Sequence, residues 1–307
     1  MVKNLHQIDI IIPFADSFKE LRETIISLEN QSNYINKLII VVSGNSVKEK
    51  FSLVSKQIKN HKSFKKIIVL KDEANYRSPG SARNLGLRNC CVNYVGFIDS
   101  GMIANKEWIS SFFKQELSIR LGSTYYFPKK GFQTLSAFLT YGTKYSLNSL
   151  PGTILQTKKC FNFEESLRFG EDILWKNNYE KFKNSELCFP CKYIFFPESI
   201  PALIKKFYFL NLYSLKYGSN LKKKINIYCL LSLIVYFGSS VLFFVGYKNF
   251  SLLTLSIYFF LRFIHKNKFS YLFDINIVFF VFFQIFLDFF RLIIVLIYSL
   301  KKIIIKI

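Results

Sequence analysis

The chain is short of acid, and the shortage is uneven. Among 307 residues there are 20 Asp and Glu against 42 Lys and Arg, a formal charge of +22. Residues 201–307 hold only two of the acids but 14 of the cations. Glycine (13) and proline (7) are sparse and half of the residues are hydrophobic, which excludes collagen-like and disordered chains. Histidine is nearly absent, and His6, His61 and His265 are too scattered for a metal site. The six cysteines show no disulfide-framework spacing, so a reducing compartment is expected. Cys188 and Cys191 form a lone C-x-x-C without the second ligand pair that zinc needs. No apolar leader precedes the first apolar run, so the N-terminal part is expected to remain cytoplasmic.

What is abundant is phenylalanine, at 35 residues, and lysine beside long apolar runs. Cations placed in this way follow the logic of a membrane, not of a nucleic-acid surface, and no nucleic-acid partner is expected. Residues 199–224 read as an amphipathic segment lying on a membrane surface, with Lys205, Lys206 and Lys216 among aromatics. Lys222–Lys224 then abut Ile225–Tyr247, which carries no charge and at about 1.5 Å per residue is long enough to cross a bilayer. Phe250–Ile264 and Ile275–Leu300 are two further apolar runs, the second carrying Asp288 and Arg291 at i,i+3 spacing. Residues 225–307 are thus expected to form a membrane domain of two to three transmembrane helices. The protein is expected to be multi-pass in the cell membrane, with its N-terminal domain in the cytoplasm.

Residues 1–198 have the rhythm of an α/β domain. Ile8–Phe14, Lys37–Val42, Lys66–Leu70 and Asn93–Ile98 read as buried strands, separated by helical patterns. Ser17 and Glu20 have capping-box spacing, and Ser78-Pro79 opens a helix. Alternating strands and helices predict an open, mostly parallel sheet covered on both faces. Ligands bind such sheets outside the carboxyl ends of the strands. That rule selects Pro13 to Asp16, Ser43 to Ser46, Asn75 to Arg77, and Asp99 to Gly101 as loops sharing one edge. Further strands are expected at Ser123–Pro128, Gly152–Gln156 and Lys192–Phe196, with a helix over Glu171–Lys183.

Several short pieces, taken in order, resemble the family-2 glycosyltransferases, which have the GT-A fold. They are Ile11-Ile12-Pro13-Phe14-Ala15-Asp16, Ser27-Leu28-Glu29-Asn30-Gln31, Ala82-Arg83-Asn84-Leu85-Gly86, Phe97-Ile98-Asp99-Ser100-Gly101 with Trp108 downstream, Ser149-Leu150-Pro151-Gly152, and Gly170-Glu171-Asp172. The resemblance covers roughly residues 8–185 and implies a donor site built from Pro13, Phe14, Asp16, Ser43, Arg77, Arg83 and Asp99. It implies a divalent metal, Mg or Mn, at Asp99, because hard oxygen ligands suit those ions. Gly101, however, stands where the D-x-D pattern has its second acid, so one carboxylate ligand is lost. That leaves Asp99 to contact the ribose or to hold metal through water, with Arg77 and Arg83 compensating at the phosphates. Ser43 and Gly44 stand where the family often has two acids, one of which reads uracil, so the donor base is left open.

Inverting transfer needs a base for the acceptor hydroxyl, and the resemblance puts that role on Asp172, with Glu171 beside it. The plainer reading of the pair is two acids that suit a helix N-terminus. Arg168 is expected to pair with Glu164 or Glu165. The implied protein is a membrane-anchored inverting glycosyltransferase. It would move a sugar from a nucleotide-diphosphate sugar to a lipid-linked or glycan acceptor in surface polysaccharide or glycolipid assembly. The rival is a protein of the same fold that has lost donor chemistry and serves in binding or scaffolding.

Overall fold

In a computed structural model, the described residues are 6–15, 17–58, 61, 63–129, 131–141, 144–167, 170–182, 189–217, 219–264 and 277–304. Asp16, Arg168 and Cys188 lie outside them, as do the side chains of Lys222–Lys224 and Arg262. The chain divides into two compact units: residues 1–127 with 145–195, and residues 128–144 with 196–307.

The first unit opens as the hydrophobic pattern predicts. Strands β1 (Ile8–Phe14), β2 (Ile35–Val42), β3 (Ile67–Lys71) and β4 (Tyr94–Phe97) alternate with helices α1 (Phe18–Leu28), α2 (Val47–Ile58) and α3 (Pro79–Arg88). Then come β5 (Met102–Ile103), α4 (Trp108–Lys114), β6 (Ile119–Tyr126), β7 (Tyr145–Gln156), α6 (Glu171–Asn177) and β8 (Cys191–Tyr193). The sheet order is β3-β2-β1-β4-β7-β6-β8-β5. Its first four strands are parallel, but β7 runs antiparallel to both β4 and β6, and β5 antiparallel to β8. The sheet is therefore mixed where a mostly parallel one was expected. The cause is β7, twelve residues long, which enters from the opposite end. The helix predicted over Glu171–Lys183 stops at Asn177, followed by a 3₁₀ turn at Glu180–Phe182. Asn177 and Asn178, poor helix formers, mark the break.

Two apolar layers flank the sheet. One gathers alternate residues of β1 and β2, such as Ile10, Ile12, Leu38 and Ile40, against α1, α2 and α4. The other gathers Ile11, Ile39 and Val41 with Ala82, Phe163 and Trp175. This is the period-two alternation of a strand buried on both faces. Trp108 and Trp175 are core residues. The Trp108 Nε1–H donates to Gly152 O at 2.7 Å, and Trp175 stacks on Phe163 with ring centroids 5.0 Å apart. Gly86 lets α3 lie close on β1, since a Cβ there would sit 2.7 Å from Ile11 Cγ2.

The second unit is helical: α5 (Phe132–Thr140), α7 (Ile200–Tyr217), α8 (Ser219–Phe244), α9 (Lys248–Ile264) and α10 (Ile277–Ile304). Helix α5 belongs to it although the chain reaches α5 between β6 and β7. The Gln133 side-chain amide donates to Glu198 Oε1 at 2.6 Å, Phe132 meets Phe283 edge-on, and the Lys206 ammonium lies 4.8 Å from the Tyr141 ring centre. Among the described residues, Phe283–Leu300 is long and apolar enough to cross a membrane, while Cys229–Phe244 and Lys248–Leu261 are shorter apolar stretches.

Candidate active site

Strand register brings the predicted loops together. Phe14 pairs with Val42 and Val42 with Lys71, so β1, β2 and β3 end level with one another. Backbone bonds extend the ladder past the strands: Ser43 N–H to Phe14 O (2.8 Å), Asp72 N–H to Val42 O (2.9 Å) and Ile98 N–H to Ile11 O (3.2 Å). At that edge lies a cleft of about 200 Å³. Pro13, Phe14, Ser43, Arg77, Arg83 and Asp99 all line it, together with Ala15, Glu20, Pro79 and Ser100. Arg77 has φ +43°, a left-handed conformation uncommon for a residue with a side chain. Asp16 is outside the described residues, and Asp172 is not among the residues lining the cleft.

Each residue of the Ala82-Arg83-Asn84-Leu85-Gly86 run that is polar has a definite task. Arg83 is buried, and its guanidinium spans two acids: Nη1–H donates to Glu171 Oε1 at 2.7 Å and Nη2–H to Asp99 Oδ1 at 2.8 Å. The side-chain amide of Asn84 donates to Phe163 O and Glu165 Oε1, both at 2.9 Å, and its oxygen accepts Phe163 N–H at 2.8 Å. That clamp fixes the segment leading to α6. The helix begins at Ser78, whose side chain accepts Ser81 N–H while Ser81 Oγ accepts Ser78 N–H, a reciprocal cap. The Ser78 hydroxyl also donates to Glu165 O at 2.7 Å.

Helix α1 holds the other wall. Gly101 N–H donates to Thr24 Oγ1 and Ala104 N–H to Ser27 Oγ, both at 2.9 Å. Gln31 accepts Ile109 N–H at 2.7 Å and donates to Asn105 O at 2.9 Å. The serine and glutamine of the Ser27-Leu28-Glu29-Asn30-Gln31 piece thus anchor the loop that carries Asp99. The capping box expected at Ser17 is not made: Ser17 makes no side-chain cap, and Glu20 lies toward Gly101. A Cβ on Gly101, whose φ is +93°, would sit 3.1 Å from Glu20 Oε2.

The electrostatics divide the acids. Burial opposes the charge of Arg83, but Asp99 and then Glu171 outweigh it and raise its pKa above the ordinary range, so it is a permanent cation. Burial pushes the Glu171 carboxyl up, against the pull of Arg83, with Asp172 adding to the rise. Asp172, one residue further, is half-buried, with Lys176 Nζ at 3.9 Å from its carboxylate. The Cys191 thiol is buried and its pKa is pushed up to about 12, so it offers no ready thiolate.

The donor set does not fit a metal held by the protein. Asp99 gives one oxygen to Arg83, Gly101 brings no carboxylate, and among the described residues no group of three His, Cys, Asp or Glu side chains converges. Positive charge at the cleft comes instead from Arg77 and Arg83.

Residues 9–135 match the family described as glycosyl transferase family 2. That match runs from β1 into α5 and supports a glycosyltransferase activity for the first unit. No curated protein matches the sequence. Among solved structures, TarS 1–349 of S. aureus is similar at 17% identity and TM-score 0.44, over 72% of this chain and 69% of that one. The same protein in complex with UDP-GlcNAc gives 16% and 0.45, over 72% and 70%. The mannosyltransferase PcManGT of Pyrobaculum calidifontis, in complex with GDP-Man and Mn2+, gives 12% and 0.46, over 70% and 64%.

Sequence reasoning missed Glu20 at the cleft. Glu20 was legible only as a helix cap, because the space above Gly101 is a property of the fold. It also gave no role to Asp72, which lies beneath Ser43.

Proposed function

We propose that the cleft binds a nucleotide-diphosphate sugar and that the chain transfers the sugar, with inversion, to a lipid-linked or glycan acceptor at a cell membrane. The observation that carries this reading is the meeting of Pro13, Phe14, Ser43, Arg77, Arg83 and Asp99 in one cleft at the carboxyl edge of the sheet. Arg77 and Arg83 sit where they can face a diphosphate whose charge grows as the glycosidic bond breaks. Asp99 holds Arg83 in place and has a half-exposed carboxylate left to meet the donor. Asp172 takes the proton of the acceptor hydroxyl as its oxygen attacks the anomeric carbon, and the nucleoside diphosphate leaves. Glu171 anchors Arg83 and is not the base in this scheme, since its Oε1 is committed to the guanidinium.

The membrane part of the proposal rests on the second unit. Phe237, Phe244, Val245, Phe250, Leu252 and Leu300 are each more than half exposed, as are many neighbours on α8, α9 and α10. A surface this apolar is a liability in water and is satisfied by hydrocarbon. Helix α10 has the length to cross. The 16 residues of Cys229–Phe244 span about 24 Å and so would cross only by drawing in polar flanks. We therefore place one span in α10 and treat α8 and α9 as membrane-embedded, with the first unit in the cytoplasm and domain limits near residues 198 and 224.

The test is a donor screen. Purified full chain in detergent is given a panel of nucleotide sugars, with and without Mg or Mn, and thermal shift and donor hydrolysis are read. Saturable stabilisation by one donor class is expected. No shift and no hydrolysis with any donor would leave the binding or scaffolding role.

A further inference from the structure

Three covalent passages join the two units, and all three leave the first unit from the same end of its sheet. The chain crosses after Phe127, returns at Tyr145 and crosses again after Phe195. Strand β6 ends at Tyr126, β7 begins at Tyr145 and β8 ends at Tyr193. These strands are neighbours and their ends are level. Tyr125 pairs with Tyr145 and Tyr126 with Tyr193, and Phe127 N–H donates to Tyr193 O at 2.9 Å. The end is aromatic on both faces. On one, Tyr125 stacks on Tyr145 with ring centroids 4.8 Å apart, the Phe127 ring lies 5.7 Å from Tyr125, and Lys192 Nζ is 5.7 Å from the Phe127 ring centre. On the other, Tyr126 meets Tyr193 edge-on. Much of this surface is open: Phe127 is 49% exposed, Tyr145 48%, and Leu147, two residues along β7, 41%. The charge around it has one sign. Lys129 and Lys144 lie just beyond the strand ends, Lys192 stands on β8, and no Asp or Glu occurs between Glu116 and Glu164.

We infer that this end of β6, β7 and β8 is the membrane-contacting edge of the first unit, seated among the headgroups of an anionic leaflet. The inference rests on the proposal that the helical unit is membrane-embedded, and it adds the surface by which the α/β unit itself meets lipid. Tyrosine rings with lysines beside them suit headgroup depth, where one end of a side chain is wet and the other apolar. Lysines there are drawn to anionic lipid. The covalent chain argues for the occupant. No more than two residues separate each strand end from the unit whose helices expose so much apolar surface. The placement also bears on the acceptor. Strand β4 is parallel to β1, β7 is antiparallel to β4, and β6 is antiparallel to β7, so β6 points the same way as β1. The aromatic end therefore lies on the same edge of the sheet as the donor cleft. An edge held at a leaflet favours an acceptor presented from the lipid over one free in water.

Trp108 and Trp175 are buried, so a tryptophan placed at this edge reports on its own surroundings. The full chain is reconstituted into vesicles of phosphatidylcholine and phosphatidylglycerol, with part of the lipid brominated high on the acyl chain. Tryptophan emission is read for the wild type, Phe127→Trp, Tyr145→Trp and a control, Leu53→Trp, on the exposed side of α2 beside β3 at the other end of the strand order. Bromolipid is expected to quench the emission added at 127 or 145 at least twofold, with little effect from iodide in the water. Leu53→Trp should show the reverse. Leaving out phosphatidylglycerol should weaken the lipid quenching; quenching unchanged in pure phosphatidylcholine would overturn the anionic-leaflet part. Either rim reporter decides the matter, so one that fails to fold leaves the other. If the chain floats with the vesicles and the folded rim reporters answer to iodide but not to bromine, the inference is overturned while the membrane reading stands. A full chain that does not float with vesicles removes the membrane reading, and this inference with it.

Discussion

Among the described residues, a buried ion cluster lies in each unit, and the two are built with opposite signs at the centre. In the α/β unit a cation, Arg83, sits between the carboxylates of Asp99 and Glu171. In the helical unit an anion, Asp288, accepts from Arg291 at 2.8 Å, Tyr258 at 2.9 Å, Gln284 at 2.9 Å and Tyr236 at 3.1 Å. Arg291 in turn donates to Asn211 Oδ1 at 3.1 Å, so α7, α8, α9 and α10 all meet in one network. The Arg83 cluster has spare capacity: its Asp99 side chain is 36% exposed, and Arg83 Nε is buried with no partner. The Asp288 carboxylate is 1% exposed and wrapped by donors. An unfinished cluster at a cleft can answer a ligand; a finished one among apolar helices can only hold them together.

The sharpest way to test that contrast is to ask which cluster matters for chemistry. Asp172→Asn, beside the open cluster, should lower transfer about 10²- to 10⁴-fold in single-turnover assays while donor affinity stays the same. Undiminished transfer would remove Asp172 as the base. Arg83→Met should be the costliest change for stability, about 3–5 kcal/mol, because Glu171 would be left buried without its cation. Denaturant melts of the full chain in detergent measure this, and a loss under about 1 kcal/mol would mean that Glu171 simply takes up a proton. Asp288→Asn should cost less, about 1–2 kcal/mol, and leave donor binding untouched. A change in donor affinity there would break the contrast outright.

The smallest effect is one of pH. Burial raises the Glu171 pKa in the folded protein above its ordinary value of 4.5. The folded state therefore binds this proton more tightly than the unfolded chain does. The resulting stability is fully present below the ordinary value and is lost as pH rises through the raised one. Glu171→Gln removes that dependence, so its melting temperature should gain on the wild type between pH 4 and pH 7. A constant difference across that range would show that the carboxyl is not perturbed.

The sequence announced the open cluster far better than the closed one. Strand periodicity placed Pro13, Ser43 and Asp99 on one edge, since a parallel ladder in register needs only the apolar runs and the turns after them. The Arg83 bridge was not legible, because Glu171 lies 88 residues away and its approach depends on the Asn84 clamp on residues 163–165. Asp72 escaped for a related reason. Its partners, Ser43 and Ser81, belong to the loop after β2 and the first turn of α3, and neither spacing is a pattern. In the helical unit, Asp288 and Arg291 could be paired by i,i+3 spacing alone, but Tyr236, Tyr258 and Asn211 come from other helices. In the other half of the sheet, strands were expected at Ser123–Pro128, Gly152–Gln156 and Lys192–Phe196, which overlap β6, β7 and β8. The first half of β7 is polar at several positions, so its full length and antiparallel direction were missed.

The dispatch of α5 to the helical unit has a practical corollary for anyone cutting this chain. Residues Gln133 to Leu139 are buried in a neighbourhood made by segments that come after residue 195. A truncation near residue 198 would look sensible on paper, yet it would strand that helix with its greasy side bare, tethered between β6 and β7. A soluble version of the α/β unit would need the 128–144 excursion replaced by a short turn between Phe127 and Tyr145.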